Sequence, residues 1–171
     1  MLKGERLTLR EWREEDLAAI ARLRNDVELQ SLLMARARPN PVERVRQWLA
    51  DRAARADMLF FVIASNVDGS VLGYVQVANI DAFQGTGELG ICLGREAQGQ
   101  GFADECCALL EEYAGRTLAL RKFTLRVLAS NARAIAFYRR RGYREVGRLE
   151  RQFPVEDGYA DVVLMERFLP R

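Results

Sequence analysis

Leu93-Gly94-Arg95-Glu96-Ala97-Gln98-Gly99-Gln100-Gly101-Phe102-Ala103 joins a stretch that reads as a strand, Glu88 to Leu93, to one that reads as a long helix, Phe102 to Arg116. The first N–H groups of a helix have no partner within it, and the macrodipole adds partial positive charge there. Glycines let an anion approach the backbone closely. A pyrophosphate is the natural guest of such a turn. A dinucleotide fingerprint would require a third glycine at position 104, where the chain has Asp104. A nucleoside-triphosphate loop would require Gly followed by Lys and Ser or Thr, and that triplet is missing here. Taken alone, Gly99 and Gly101 suit a purely structural turn better than a binding site. The balance shifts with a second element downstream: Asn131, Ala132, Ala134, Phe137, Tyr138, Gly142 and Tyr143, in that order.

Outward from this turn the chain reads as alternating strands and helices. Leu7 and Leu9 alternate with polar residues as a short strand, and Leu17, Ile20 and Ala21 follow Asp16 at helical spacing. Residues 27–41 read as a loop or broken helix before a second helix through Val42, Val45, Trp48 and Leu49. Leu59 to Ala64 and Val71 to Val77, joined across Asp68 and Gly69, read as a hairpin. Phe123 to Leu128 is the next strand, and Ser130 or Asn131 caps a helix from Ala132 to Arg141 that Gly142 stops. Tyr143 to Phe153 and Tyr159 to Phe168 close the chain as strands joined across Asp157 and Gly158.

At 171 residues, 49% of them hydrophobic and 29% charged, the chain suits one domain over residues 1–171. A formal charge of +2 demands neither nucleic acid nor an anionic membrane as partner, and no apolar run is long enough to span a bilayer. Met1 to Arg10 carries charge where a secretory signal would be apolar, so a cytoplasmic location is expected. The chain has no histidine, which excludes His-based triads and His-ligated metals, and no metal site is expected. Its three cysteines, two of them the neighbours Cys106 and Cys107, form no disulfide framework.

With these residues the chain resembles the GNAT superfamily of N-acetyltransferases. The superfamily's phosphate-loop pattern, Gln/Arg-x-x-Gly-x-Gly/Ala, is met by Gln98, Gly101 and Ala103, and Asn131 with Tyr138 fits its later motif. The likeness extends over nearly all of residues 5–168. Arg24, Asn25, Trp48, Glu88, Glu105, Asp157, Gly158, Asp161 and Met165 resemble the branch of ribosomal-protein alanine and spermidine acetyltransferases. The resemblance implies an α/β (α+β) fold: a mixed, twisted sheet of about six or seven strands, flanked by about four helices. It splays between the strands at 88–93 and 123–128, with acetyl-coenzyme A in the gap. Cofactor contacts are expected from Ile91, Cys92, Leu93, Gln98, Gly99, Gln100, Gly101, Phe102, Ala103, Asn131 and Tyr138. The assembly expected is a monomer or a homodimer.

The resemblance also implies acetyl transfer to an amine. That reaction needs a neutral amine, a polarised carbonyl and a proton for the departing thiolate. Glu88 is the candidate base, its alternative being a solvated carboxylate at a strand end. Tyr138 is the candidate acid, its alternative being core packing beside Ile135 and Phe137. Asn131 either bonds the pantetheine arm or only caps its helix. Cys92 invites an acetyl-cysteine scheme, but an activated thiolate needs a base or cation nearby. A non-catalytic acyl-coenzyme A sensor is the competing function.

The acceptor expected is a small-molecule amine (amino acid, amino sugar or polyamine-like) or a protein N-terminus. Arg36, Arg38, Arg44 and Arg46 outweigh Glu28 and Glu43 in a stretch expected to border it, which suggests a basic rim unsuited to polyamines; a solvated helix face is the alternative.

Overall fold

The computed structural model describes residues 1–36 and 38–170. Among them eight strands form one sheet: β1 (Leu2–Lys3), β2 (Leu7–Arg10), β3 (Leu59–Ser65), β4 (Val71–Asp81), β5 (Thr86–Leu93), β6 (Lys122–Leu128), β7 (Arg144–Val155) and β8 (Gly158–Phe168). The helices are α1 (Leu17–Asn25), α2 (Val27–Leu32), α3 (Val42–Ala53), α4 (Phe102–Arg116) and α5 (Ala132–Arg140). The mixed α/β architecture expected from the sequence is present, with slightly higher counts. The added strand, β1, has only two residues, too few for alternation to reveal. The added helix, α2, is the regular part of the segment read as a broken helix.

The strand order is β1-β2-β3-β4-β5-β6-β8-β7, and every neighbouring pair is antiparallel except β5 and β6. The two faces of the sheet are covered by different helices. Val75, Val77, Leu89, Phe123, Leu125 and Met165 pack with Cys106, Leu110 and Tyr138 of α4 and α5. On the other face Leu17 and Ile20 of α1 meet Val45 and Leu49 of α3 over Val62. Beside them Leu29 of α2 covers Tyr74 and Cys92.

The parallel pair β5–β6 is short. Its register runs Thr86↔Lys122, Gly87↔Phe123 and Glu88↔Thr124, and then the strands part. Each limb beyond that point keeps an antiparallel partner. β5 stays on β4 as far as Gly73↔Leu93, and β6 stays on β8 as far as Leu128↔Val162. The sheet therefore opens into a V while both limbs stay hydrogen-bonded on their outer sides, which leaves the inner backbone groups of β5 for another partner.

Candidate active site

The V opens into a cleft of about 840 Å³. At one end lies the turn after β5. Gly99 (φ +76°) and Gly101 (φ +82°) adopt left-handed backbone that other residues resist, and no side chain caps α4 at Gly101. The first N–H groups of α4 are thus open to an anion. Gln98 braces the turn from within: its Nε2 donates to Leu93 O (2.9 Å), and Arg133 Nη1 donates to its Oε1 (3.2 Å). Two acids in the first turn of α4 would oppose an anion, but both are engaged. Asp104 pairs with Arg141 at 3.2 Å, and Glu105 accepts from Arg6 N (2.8 Å), Leu7 N (3.4 Å) and Arg6 Nε (3.2 Å). Glu105 therefore ties β2 to α4 and stands outside the cleft.

Of the residues named from the sequence, Ile91, Cys92, Leu93, Gln98, Gly99, Gly101, Ala103, Asn131, Tyr138 and Glu88 all line the cleft. Gln100 and Phe102 do not. The Gln100 amide turns to Glu96 O, and Phe102 lies under the Arg6 guanidinium, 4.7 Å from ring to carbon. These two residues offer the site only backbone.

Asn131 caps α5, its Oδ1 accepting from Ala134 N (3.1 Å), and the residue also borders the cleft. Tyr138 is buried between Phe137 and Tyr143, with ring centroids at 5.2 and 5.4 Å, and its hydroxyl has no hydrogen-bond partner among the described residues. Burial pushes its pKa well above the usual phenol value, so the proton stays on. Glu88 stands where β5 and β6 separate, half-buried, with Asn79 Nδ2 3.4 Å from its Oε2. Burial pushes the Cys92 thiol up to about 12 and keeps it protonated.

The face of the sheet that carries Glu88 is walled by α2 and the residues after it, Leu29, Leu32, Leu33 and Met34, and opposite them by Gln152 and Phe153 of β7. Both walls are fastened. Asn25 bonds the backbone of Asn40 in both directions (2.9 and 3.0 Å), and Arg24 and Arg52 sandwich the Trp48 indole at 3.9 and 3.8 Å. In β7 a bulge between Leu149 and Phe153 is pinned by Asp161, which accepts from Arg151 N (2.8 Å) and Arg148 Nη1 (3.4 Å).

The basic rim expected from Arg36, Arg38, Arg44 and Arg46 is corrected: none of the four borders the cleft. Arg46 pairs with Glu14 (2.8 Å) and with Glu43, and Arg44 donates to Pro39 O. The sequence reading missed Arg126, Arg133, Gln152 and Phe153. Arg133 falls in the first turn of the helix that Asn131 caps, a local signal that could have pointed to it. The other three depend on how strands part and bulge. Among the described residues no metal-binding cluster occurs, and no helix is long and apolar enough to cross a membrane.

The acetyltransferase (GNAT) domain family matches residues 6–144. A spermidine N(1)-acetyltransferase of Vibrio cholerae is 27% identical over 98% of this chain and 98% of its own. The putative ribosomal N-acetyltransferase YdaF of Bacillus subtilis is 24% identical over 94% of this chain and 90% of its own. The crystal structure of spermidine N-acetyltransferase from Vibrio cholerae in complex with CoA and spermine superposes with a TM-score of 0.89, at 25% identity, over 97% of both chains.

Proposed function

Because the chain belongs to the acetyltransferase (GNAT) family and is an acetyl-CoA-dependent N-acetyltransferase, we propose that it acetylates a primary amine by direct attack, with Glu88 as base and Tyr138 as acid. When bound, acetyl-CoA supplies a thioester carbonyl for the amine to attack. Backbone N–H groups from Gly99 to Ala103 hold the diphosphate, with the Arg133 cation beside them. The inner edge of β5 from Leu89 to Leu93 and the Asn131 amide align the pantetheine arm, as an added strand would be aligned.

Glu88 takes a proton from the ammonium, directly or through a water, and frees the nitrogen lone pair. As the C–N bond forms and the C–S bond breaks, the Tyr138 hydroxyl gives its proton to the departing sulfur. The acylated nitrogen sheds its second proton to solvent, solvent restores the proton of Tyr138, and Glu88 releases its own. Cys92 stays a thiol and carries no acyl group, so the transfer has one step.

One observation carries this reading. The sheet opens immediately after Glu88↔Thr124, with an uncapped helix start at one end of the gap and a phenol lacking a protein partner inside it. The acceptor is a small-molecule amine, in line with the spermidine acetyltransferases among its relatives. Three free, buried cysteines suit the cytoplasm, and one or two copies form the working unit. Amine-dependent release of coenzyme A thiol tests the activity. Retention of full turnover by both Tyr138→Phe and Glu88→Gln would dismiss the assigned roles.

A further inference from the structure

We infer that the acceptor amine also carries an anion, a carboxylate or a phosphate, which Arg126 holds while Glu88 faces the nitrogen; this inference rests on the acetyl-transfer reading above. Thr124 lies beside Glu88 in the last pair before β5 and β6 part, and Arg126 follows it by two residues. With a side-chain period of two, Arg126 projects from the same face as Glu88. Phe123, Leu125 and Val127 project from the other face and pack beneath α4 and α5.

Arg126 is exposed and borders the cleft, and no described carboxylate pairs with it. Basic residues elsewhere on β6 and β7 differ. Lys122 and Arg144 share Glu166 (2.7 and 2.6 Å), and Arg148 has Asp161 (3.4 Å). Across β8 the register partner of Arg126 is Leu164, and Glu166, two residues further along that strand, is already held by Lys122 and Arg144. The other cleft arginines, Arg133 and Arg140, belong to α5, where Arg133 braces the phosphate turn through Gln98.

The acids of the cleft complete the case. Among the described lining residues the carboxylates are Glu88 and Asp104, and Asp104 sits at the start of α4 in the grip of Arg141. The acceptor face therefore offers one anion and one unpaired cation, from backbone positions about 7 Å apart in rise along the strand direction. A polyamine would bring a second ammonium toward Arg126 with no further acid to receive it. An amine with an anion a few bonds away answers both charges, and an apolar body between them would rest on Leu32, Leu33 and Met34.

The test compares kcat/KM within matched pairs: an apolar amino acid against its amide, and an amino sugar phosphate against the unphosphorylated sugar, with spermidine alongside. One anionic member should exceed its neutral partner and spermidine by about tenfold or more, and which pair responds tells carboxylate from phosphate. Arg126→Gln should erase that ratio, and Arg126→Glu should turn preference toward spermidine, with acetyl-CoA affinity unchanged in both. The inference is overturned if spermidine or the neutral members match the anionic ones, if Arg126→Gln keeps the ratio, or if acetyl-CoA binds but no anionic amine reacts. Failure to bind acetyl-CoA at all would instead overturn the underlying reading.

Discussion

Burial of the ring holds the Tyr138 phenol well above the usual phenol range, so it keeps its proton while its hydroxyl, free of partners among the described residues, borders the cleft. Its acid role predicts that Tyr138→Phe lowers kcat by about 100-fold or more while acetyl-CoA affinity holds. Pre-steady-state thiol release beside calorimetry separates the two, and equal losses in both would assign Tyr138 to packing. Glu88→Gln should lower kcat most where the acceptor is fully protonated and recover as rising pH supplies free amine. A loss that stays constant across pH would rule out the base. Both residues were proposed through the family resemblance, Tyr138 from a motif that opens at Asn131 and Glu88 as the acid of its strand, so composition and spacing alone would not have named them. The arginines of residues 36–46 were misplaced because Arg46 finds Glu14 thirty-two residues away, which local spacing does not reveal.

Two elements set the geometry of the site, and both can be probed. In the turn before α4, Gly101→Ala forces a left-handed φ on an L residue and brings a Cβ to 3.1 Å of the Arg6 guanidinium. The strain should lower stability by about 1 kcal/mol and weaken acetyl-CoA binding, whereas unaltered affinity would mean that the turn does not shape the phosphate site. The short helix α2 is fastened through Asp26, which caps it by accepting from Leu29 N (3.0 Å) and pairs with Arg95 at 2.8 Å. The Arg95 bond first, and the Leu29 N–H next, hold the Asp26 carboxyl down at about 2, below the usual carboxylate range. Its contribution is therefore complete above about pH 4 and lost as pH falls through about 2. Hydrogen exchange in α2 should rise across that window, and Asp26→Asn should remove the dependence. The turn and α4 were readable from glycines and periodicity, and α4 has the bounds expected. The β7 bulge was not, because Asp161 fixes it from the partner strand.

The whole molecule works as an opened sheet. Strands β5 and β6 pair only as far as Glu88 and Thr124, yet each limb keeps its outer ladder, so the gap exists without loose strands. Element order made this architecture legible, whereas the faces that Arg126 and Phe153 present became visible only once the limbs were placed. Sedimentation should find one or two copies of the chain, and a larger closed assembly would correct that expectation. The central claim is that main-chain amides at the start of α4 bind the diphosphate of acetyl-CoA. Titration calorimetry of the intact protein with acetyl-CoA and with a diphosphate-free thioester, acetyl-pantetheine, tests it most directly. Saturable heat near one equivalent for the first, and at least about tenfold weaker binding of the second, is the result expected; equal affinity for both, or no heat from acetyl-CoA, would contradict it.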